Sequence, residues 1–154
     1  LAVAACGGES EPEPTPTPTA TPTPRVLRIP GELVLFGSAV QDRRLEGISK
    51  PTWLGVEPGE ECSGYRGYDD IAAGMEVRVE ADGRILSLSR LSTGVFGDWP
   101  EKPLDYTMTC TFAFEVEVPE GHQFYTVALG RRGEHNYTWD ELVSKDKLSY
   151  YLGR

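Results

Sequence analysis

The chain has no apolar run near the roughly 20 residues needed to cross a hydrocarbon core, so nothing in it reads as a membrane-spanning helix. Basic residues are in the minority, 15 against 24 acidic for a formal charge of −9, and they form no stripe. Nucleic acid is therefore excluded as a partner, because nothing here would displace the counterions of a phosphate backbone. Histidine is scarce too. His122 and His135 both lie in turn-like sequence, with no nucleophile or metal ligand at a recognisable spacing. Cys62-Ser63-Gly64 lacks the first glycine of a nucleophile elbow, and neither a Gly-rich phosphate loop nor a zinc-binding helix occurs. These absences point away from catalysis and from any cofactor. A small hydrolase assembled from residues distant in sequence is the residual enzymatic reading.

What the chain does have begins with an unusual leading segment. From Gly7 to Pro24 no residue is larger than threonine, glutamate or proline, so this stretch cannot bury a core. Proline alternates with Glu or Thr, which fixes about every other φ and removes amide donors, predicting an extended polyproline II spacer. At about 3.1 Å per residue it would reach roughly 55 Å, and its threonines are candidate O-glycosylation sites. Ahead of it, Leu1 to Ala5 resembles the end of a signal peptide. Val3-Ala4-Ala5-Cys6 resembles the lipobox of bacterial lipoproteins. That resemblance implies lipid on Cys6, enough to hold the protein at the membrane without a transmembrane helix. The competing reading leaves Cys6 a free thiol. The expected organisation is thus residues 1–6 as signal-peptide end and lipobox, 7–24 as a disordered linker, and 25–154 as one domain.

In the domain the dominant period is two. Met75-Glu76-Val77-Arg78-Val79-Glu80 alternates apolar with charged side chains, as a strand with one dry face does. Asp82-Gly83 then predicts a tight hairpin into Ile85 to Leu91. Cys110 to Val118 alternates most strictly, and further strands are expected at Glu32–Val40, Thr52–Val56, Phe124–Gly130 and Leu148–Leu152. Thr138-Trp139-Asp140-Glu141 has capping-box spacing and predicts one short helix near 137–144. About seven strands with Gly and Pro turns predict an all-β antiparallel sandwich, immunoglobulin-like, with a small barrel as the alternative.

With Cys6 assigned to lipid, Cys62 and Cys110 remain, and thiols outside the cytoplasm normally pair. Cys110 has the parity of Phe112 and Phe114, which turns it toward the core, so a Cys62–Cys110 disulfide is expected. A metal site would need more ligands than these two cysteines.

Polar and aromatic residues are densest in the stretch from Gly59 to Gly74. Glu60, Glu61, Asp69 and Asp70 are carboxylates of the kind Ca²⁺ takes, although their spacing matches no regular calcium loop and backbone-capping turns use the same residues. Tyr65 and Tyr68, with Trp53, Trp99 and Trp139, suggest a flat aromatic surface for glycan, or else ordinary core and rim packing. Trp99 lies just ahead of two loop-forming prolines, Pro100 and Pro103, and is the aromatic expected to be most exposed. The candidate binding set is therefore Tyr65, Tyr68, Asp69, Asp70 and Trp99.

The segments Cys62-Ser63-Gly64, Gly67-Tyr68-Asp69-Asp70-Ile71, Cys110-Thr111-Phe112-Ala113-Phe114, Phe124-Tyr125-Thr126-Val127 and Arg132-Gly133 are similar to those of surface lipoprotein domains of actinobacterial and related Gram-positive type. The resemblance implies an all-β fold and the disulfide, and it carries no activity. Together these readings lead to the expectation of a membrane-anchored, extracytoplasmic, non-enzymatic binding or adhesive module. Its expected partners are the membrane through the lipid and either cell-wall glycan or a protein. An accessory subunit of a transport or cell-wall complex is the alternative.

Overall fold

The computed structural model of the chain describes residues 24–37, 40–42, 58–97 and 109–153. The lipobox with Cys6, most of the linker, the expected strand at 52–56, and Trp53 and Trp99 lie outside them. The described residues form strands β1 (Val26–Phe36), β2 (Val40–Asp42), β3 (Glu61–Gly64), β4 (Glu76–Ala81), β5 (Arg84–Arg90), β6 (Gly94–Phe96), β7 (Thr109–Pro119), β8 (Phe124–Leu129), β9 (Glu134–Thr138) and β10 (Leu148–Leu152), and helix α1 (Trp139–Val143). One sheet has the order β10-β1-β7-β6-β3-β2 and the other β5-β4-β8-β9. The fold is an all-β sandwich, and among the described residues the two ladders do not close into a barrel.

Alternation in the sequence becomes two facing dry surfaces. Ile29, Leu33 and Leu35 of β1 lie opposite Val116, Phe112 and Cys110 of β7, and all six are buried. From the other sheet, Val77, Val79 and Ala81 of β4 and Tyr125, Val127 and Leu129 of β8 are buried against them. Each fully buried side chain of this size contributes about 1.5–3 kcal/mol of transfer free energy. The wet face of β4 carries Arg78 between Glu76 and Glu80, at 3.1 and 2.8 Å. Two glycines make room for core phenylalanine rings. A Cβ on Gly31 would enter the ring of Phe114, its register partner, and one on Gly94 would meet the Phe112 ring and the Cys62 carbonyl.

The expected disulfide is present. Cys62 on β3 and Cys110 on β7 are bonded with Cα atoms 5.9 Å apart, fastening the two strands that flank β6. At the turn from β7 to β8 the Tyr125 hydroxyl donates to the Pro119 carbonyl (2.8 Å) and accepts from the His122 amide (3.1 Å), the device called a tyrosine corner in sandwich folds. Helix α1 has its capping box. The Thr138 hydroxyl accepts from the Glu141 amide, and the Glu141 carboxylate accepts from the Thr138 amide at 2.7 Å.

Three expectations need correction. Ten strands occupy the described residues instead of about seven, because β2, β3 and β6 are only three or four residues long and leave little periodicity to read. β1 starts at Val26, earlier than the predicted Glu32, and carries Pro30 inside it. The proline is tolerated because β10 pairs with β1 only from Gly31 onward, leaving one side of β1 without a ladder partner at that point. Finally, the pairing is not antiparallel throughout. After β9 the chain passes through α1 to the opposite sheet, so β10 arrives parallel to β1.

Candidate functional site

The segment between β3 and β4 holds four of the five residues singled out as a binding set, and it folds as a compact knot. The Tyr68 amide donates to the Tyr65 carbonyl (3.3 Å), with Arg66 and Gly67 at φ of 49° and 89°. A left-handed arginine costs about 1–2 kcal/mol, so other contacts must hold this turn. The Ile71 amide donates to the Tyr68 carbonyl (2.9 Å), the Gly64 amide donates to the Ile71 carbonyl (2.8 Å), and the Ile71 side chain is fully buried. The close approach requires glycine at 64, where a Cβ would collide with the Tyr68 carbonyl.

Across from this knot, the turn between β8 and β9 supplies Arg132, whose guanidinium does three things at once. Its Nε donates to both oxygens of Asp70 at 3.0 Å, its Nη2 donates to the Gly67 carbonyl and to Asp70, and its Cζ lies 4.9 Å from the centroid of the Tyr68 ring. The hydrogen bonds from Arg132 are the main reason the Asp70 carboxyl is held below the usual carboxylate range. The same bonds raise the Arg132 guanidinium still further above neutrality. Asp69 accepts instead from the Gly67 amide at 3.0 Å, and Tyr65 carries the Arg66 guanidinium 5.5 Å from its ring centroid.

Tyr68, Asp69 and Asp70 are therefore brought together, around Arg132, which no local sequence pattern marks as part of a site. Tyr65 lies at the start of the same turn. Each tyrosine has an arginine over its ring, which leaves no open two-residue aromatic platform. Glu60 and Glu61 stand at the entry to β3, away from the aspartates in the chain path, and Asp70 already serves Arg132. Among the described residues no group of three or more His, Cys, Asp or Glu side chains is placed to hold a metal ion. His122 points its Nδ1 at Asp82 (2.7 Å), and the ring of His135 lies 4.4 Å from that of Tyr150.

Beside the Arg132–Asp70 pair is an open depression of 510 Å³, lined by Asp70, Met75, Gly130, Arg131 and Arg132. Gly130 takes φ of 50°, and its amide is spent on the Glu76 carbonyl at 2.9 Å. Arg131 is exposed and makes no ion pair with the described residues. Its charge nevertheless helps to lower Asp70. The site thus has one committed arginine, one uncommitted arginine, one committed carboxylate and a thioether surface. Comparison with protein-family models, with curated proteins and with solved structures gave no match for the chain.

Proposed function

We propose that the chain is an extracytoplasmic lipoprotein in which lipid on Cys6 anchors the protein, residues 7–24 hold the sandwich off the membrane, and the sandwich is a non-enzymatic binding or adhesive module. The observation that carries this reading is the Cys62–Cys110 disulfide, whose cysteines are 2% and 0% exposed. A bond so deep in the core belongs to the folded state, and disulfides of that kind persist in oxidising compartments. With those two thiols paired, Cys6 is the remaining cysteine of three. No helix among the described residues is long and apolar enough to cross a membrane, and lipid would supply the attachment instead.

A second reading, an accessory protein-binding subunit of a transport or cell-wall complex, draws on β5. Ile85 and Leu88 are 56% and 58% exposed on the outer face of this edge strand, brought to one face by a bulge opposite Val79 and Glu80. The test is metabolic labelling with an alkynyl fatty acid, followed by membrane fractionation and by incubation of the purified protein with isolated cell wall. Label on the native protein, its loss in Cys6→Ala with release from the membrane, and sedimentation with wall are the expected results. A Cys6→Ala protein that stays entirely membrane-bound would remove the anchor. A protein that fails to sediment with wall would leave the protein-partner reading in its place.

A further inference from the structure

We infer that the depression beside Arg132 is a binding site for a small monoanionic ligand that carries a carboxylate next to an apolar group, of the size of a short acylated peptide with a free C-terminus. This rests on the proposed role as a binding module and names the ligand chemistry of its site. Three features of the depression carry the assignment. Its volume of 510 Å³ lies inside the range that small-ligand sites occupy, roughly 300–1,000 Å³. Arg131 offers an unpaired planar fork, the geometry that grips a carboxylate with two parallel hydrogen bonds. Met75 lines the same depression with a flexible apolar surface that adapts to a small aliphatic side chain.

The other groups around the depression narrow the choice. Arg132 is already committed to Asp70, Gly67 and the Tyr68 ring, so it contributes a wall and not a free charge. Asp70 stays ionised beside it, and Asp69 adds a second negative charge nearby. A dianionic phosphate would meet that repulsion with one free guanidinium to offset it. A single carboxylate matches the charge available. A sugar lacks its usual stacking surface here, since no aromatic side chain lines the depression.

The test is an NMR titration of the ¹⁵N-labelled full chain, disulfide intact, with N-acetyl-alanyl-alanine, its C-terminal amide, and inorganic phosphate as separate probes. A ligand of about 14 non-hydrogen atoms at ordinary efficiency binds with a Kd of about 1 mM. The expected result is saturable movement of the Gly130, Arg131 and Gly133 amides with the free acid, little with the amide or phosphate, and an affinity about tenfold weaker in Arg131→Gln. Arg131 is exposed, and a thermal melt of the variant checks that its fold is intact. Equal shifts with the amide, equal shifts with phosphate, an unchanged Arg131→Gln affinity, or no saturation on the order of 10 mM would each overturn the assignment. A protein that sediments with cell wall yet gives no such shift loses this ligand and keeps its proposed function.

Discussion

At the residue scale, Arg132 contributes more to the site than any residue that the local sequence pattern had marked. It offsets a left-handed turn at Arg66 by holding the Gly67 carbonyl, and it fixes Asp70 and covers Tyr68 with the same planar group. The sign of its pH dependence follows from Asp70. A carboxyl whose folded pKa is lowered contributes stability that is fully present above the unfolded value of about 3.9 and is lost as the pH falls through the folded value. Because the Asp70 side chain is 44% exposed, screening limits the pair to about 0.5–1 kcal/mol. Urea denaturation should therefore find Asp70→Asn less stable than the parent by up to about 1 kcal/mol at neutral pH, with a smaller gap at acid pH, below the unfolded value of about 3.9. A gap of the same size at both pH values would show that the ion pair is not its source. The comparison with the variant is needed because Glu32, lowered by Lys147, adds to the acid sensitivity of the whole protein.

The elements differ in how much of their structure is local. Helix α1 has only five residues, too few to stand by propensity, so its capping box and its buried Leu142 must hold it. Thr138→Ala removes the hydroxyl that accepts from the Glu141 amide and should cost about 1 kcal/mol, read as a lower urea midpoint with an unchanged slope. An unchanged midpoint would mean that packing alone holds the helix. The cap was legible from Thr138 and Glu141, three positions apart, and so was the β4–β5 hairpin from Asp82-Gly83, since both signals lie within a few residues. Strands β3 and β6 were not legible. Cys62 and Gly94 are strand residues because they pair with each other, and nothing in their immediate neighbours says so.

For the whole molecule, the disulfide is a covalent constraint laid across one sheet, from β3 to β7. It joins residues 48 positions apart in the middle of the core, and in the chain-entropy account a loop of that length is worth roughly 4 kcal/mol. A Cys62→Ala/Cys110→Ala double variant should lose about that much, a large part of the 5–15 kcal/mol typical of a domain, and should melt well below the parent. A double variant as stable as the parent would remove the bond as a structural necessity, and with it the best argument for an oxidising compartment.

The amino-acid sequence by itself determined the all-β class, the dry faces of β4 and β7, the helix cap and the inward parity of Cys110, because periodicity, turn chemistry and parity are properties of neighbouring residues. Only the tertiary structure decided that β10 runs parallel to β1 and that Arg132 reaches Asp70 across 62 residues. Which strands share a sheet, and in what register, follows from packing two faces into one core. A charge pair spanning that distance exists only once the packing has placed the two turns side by side.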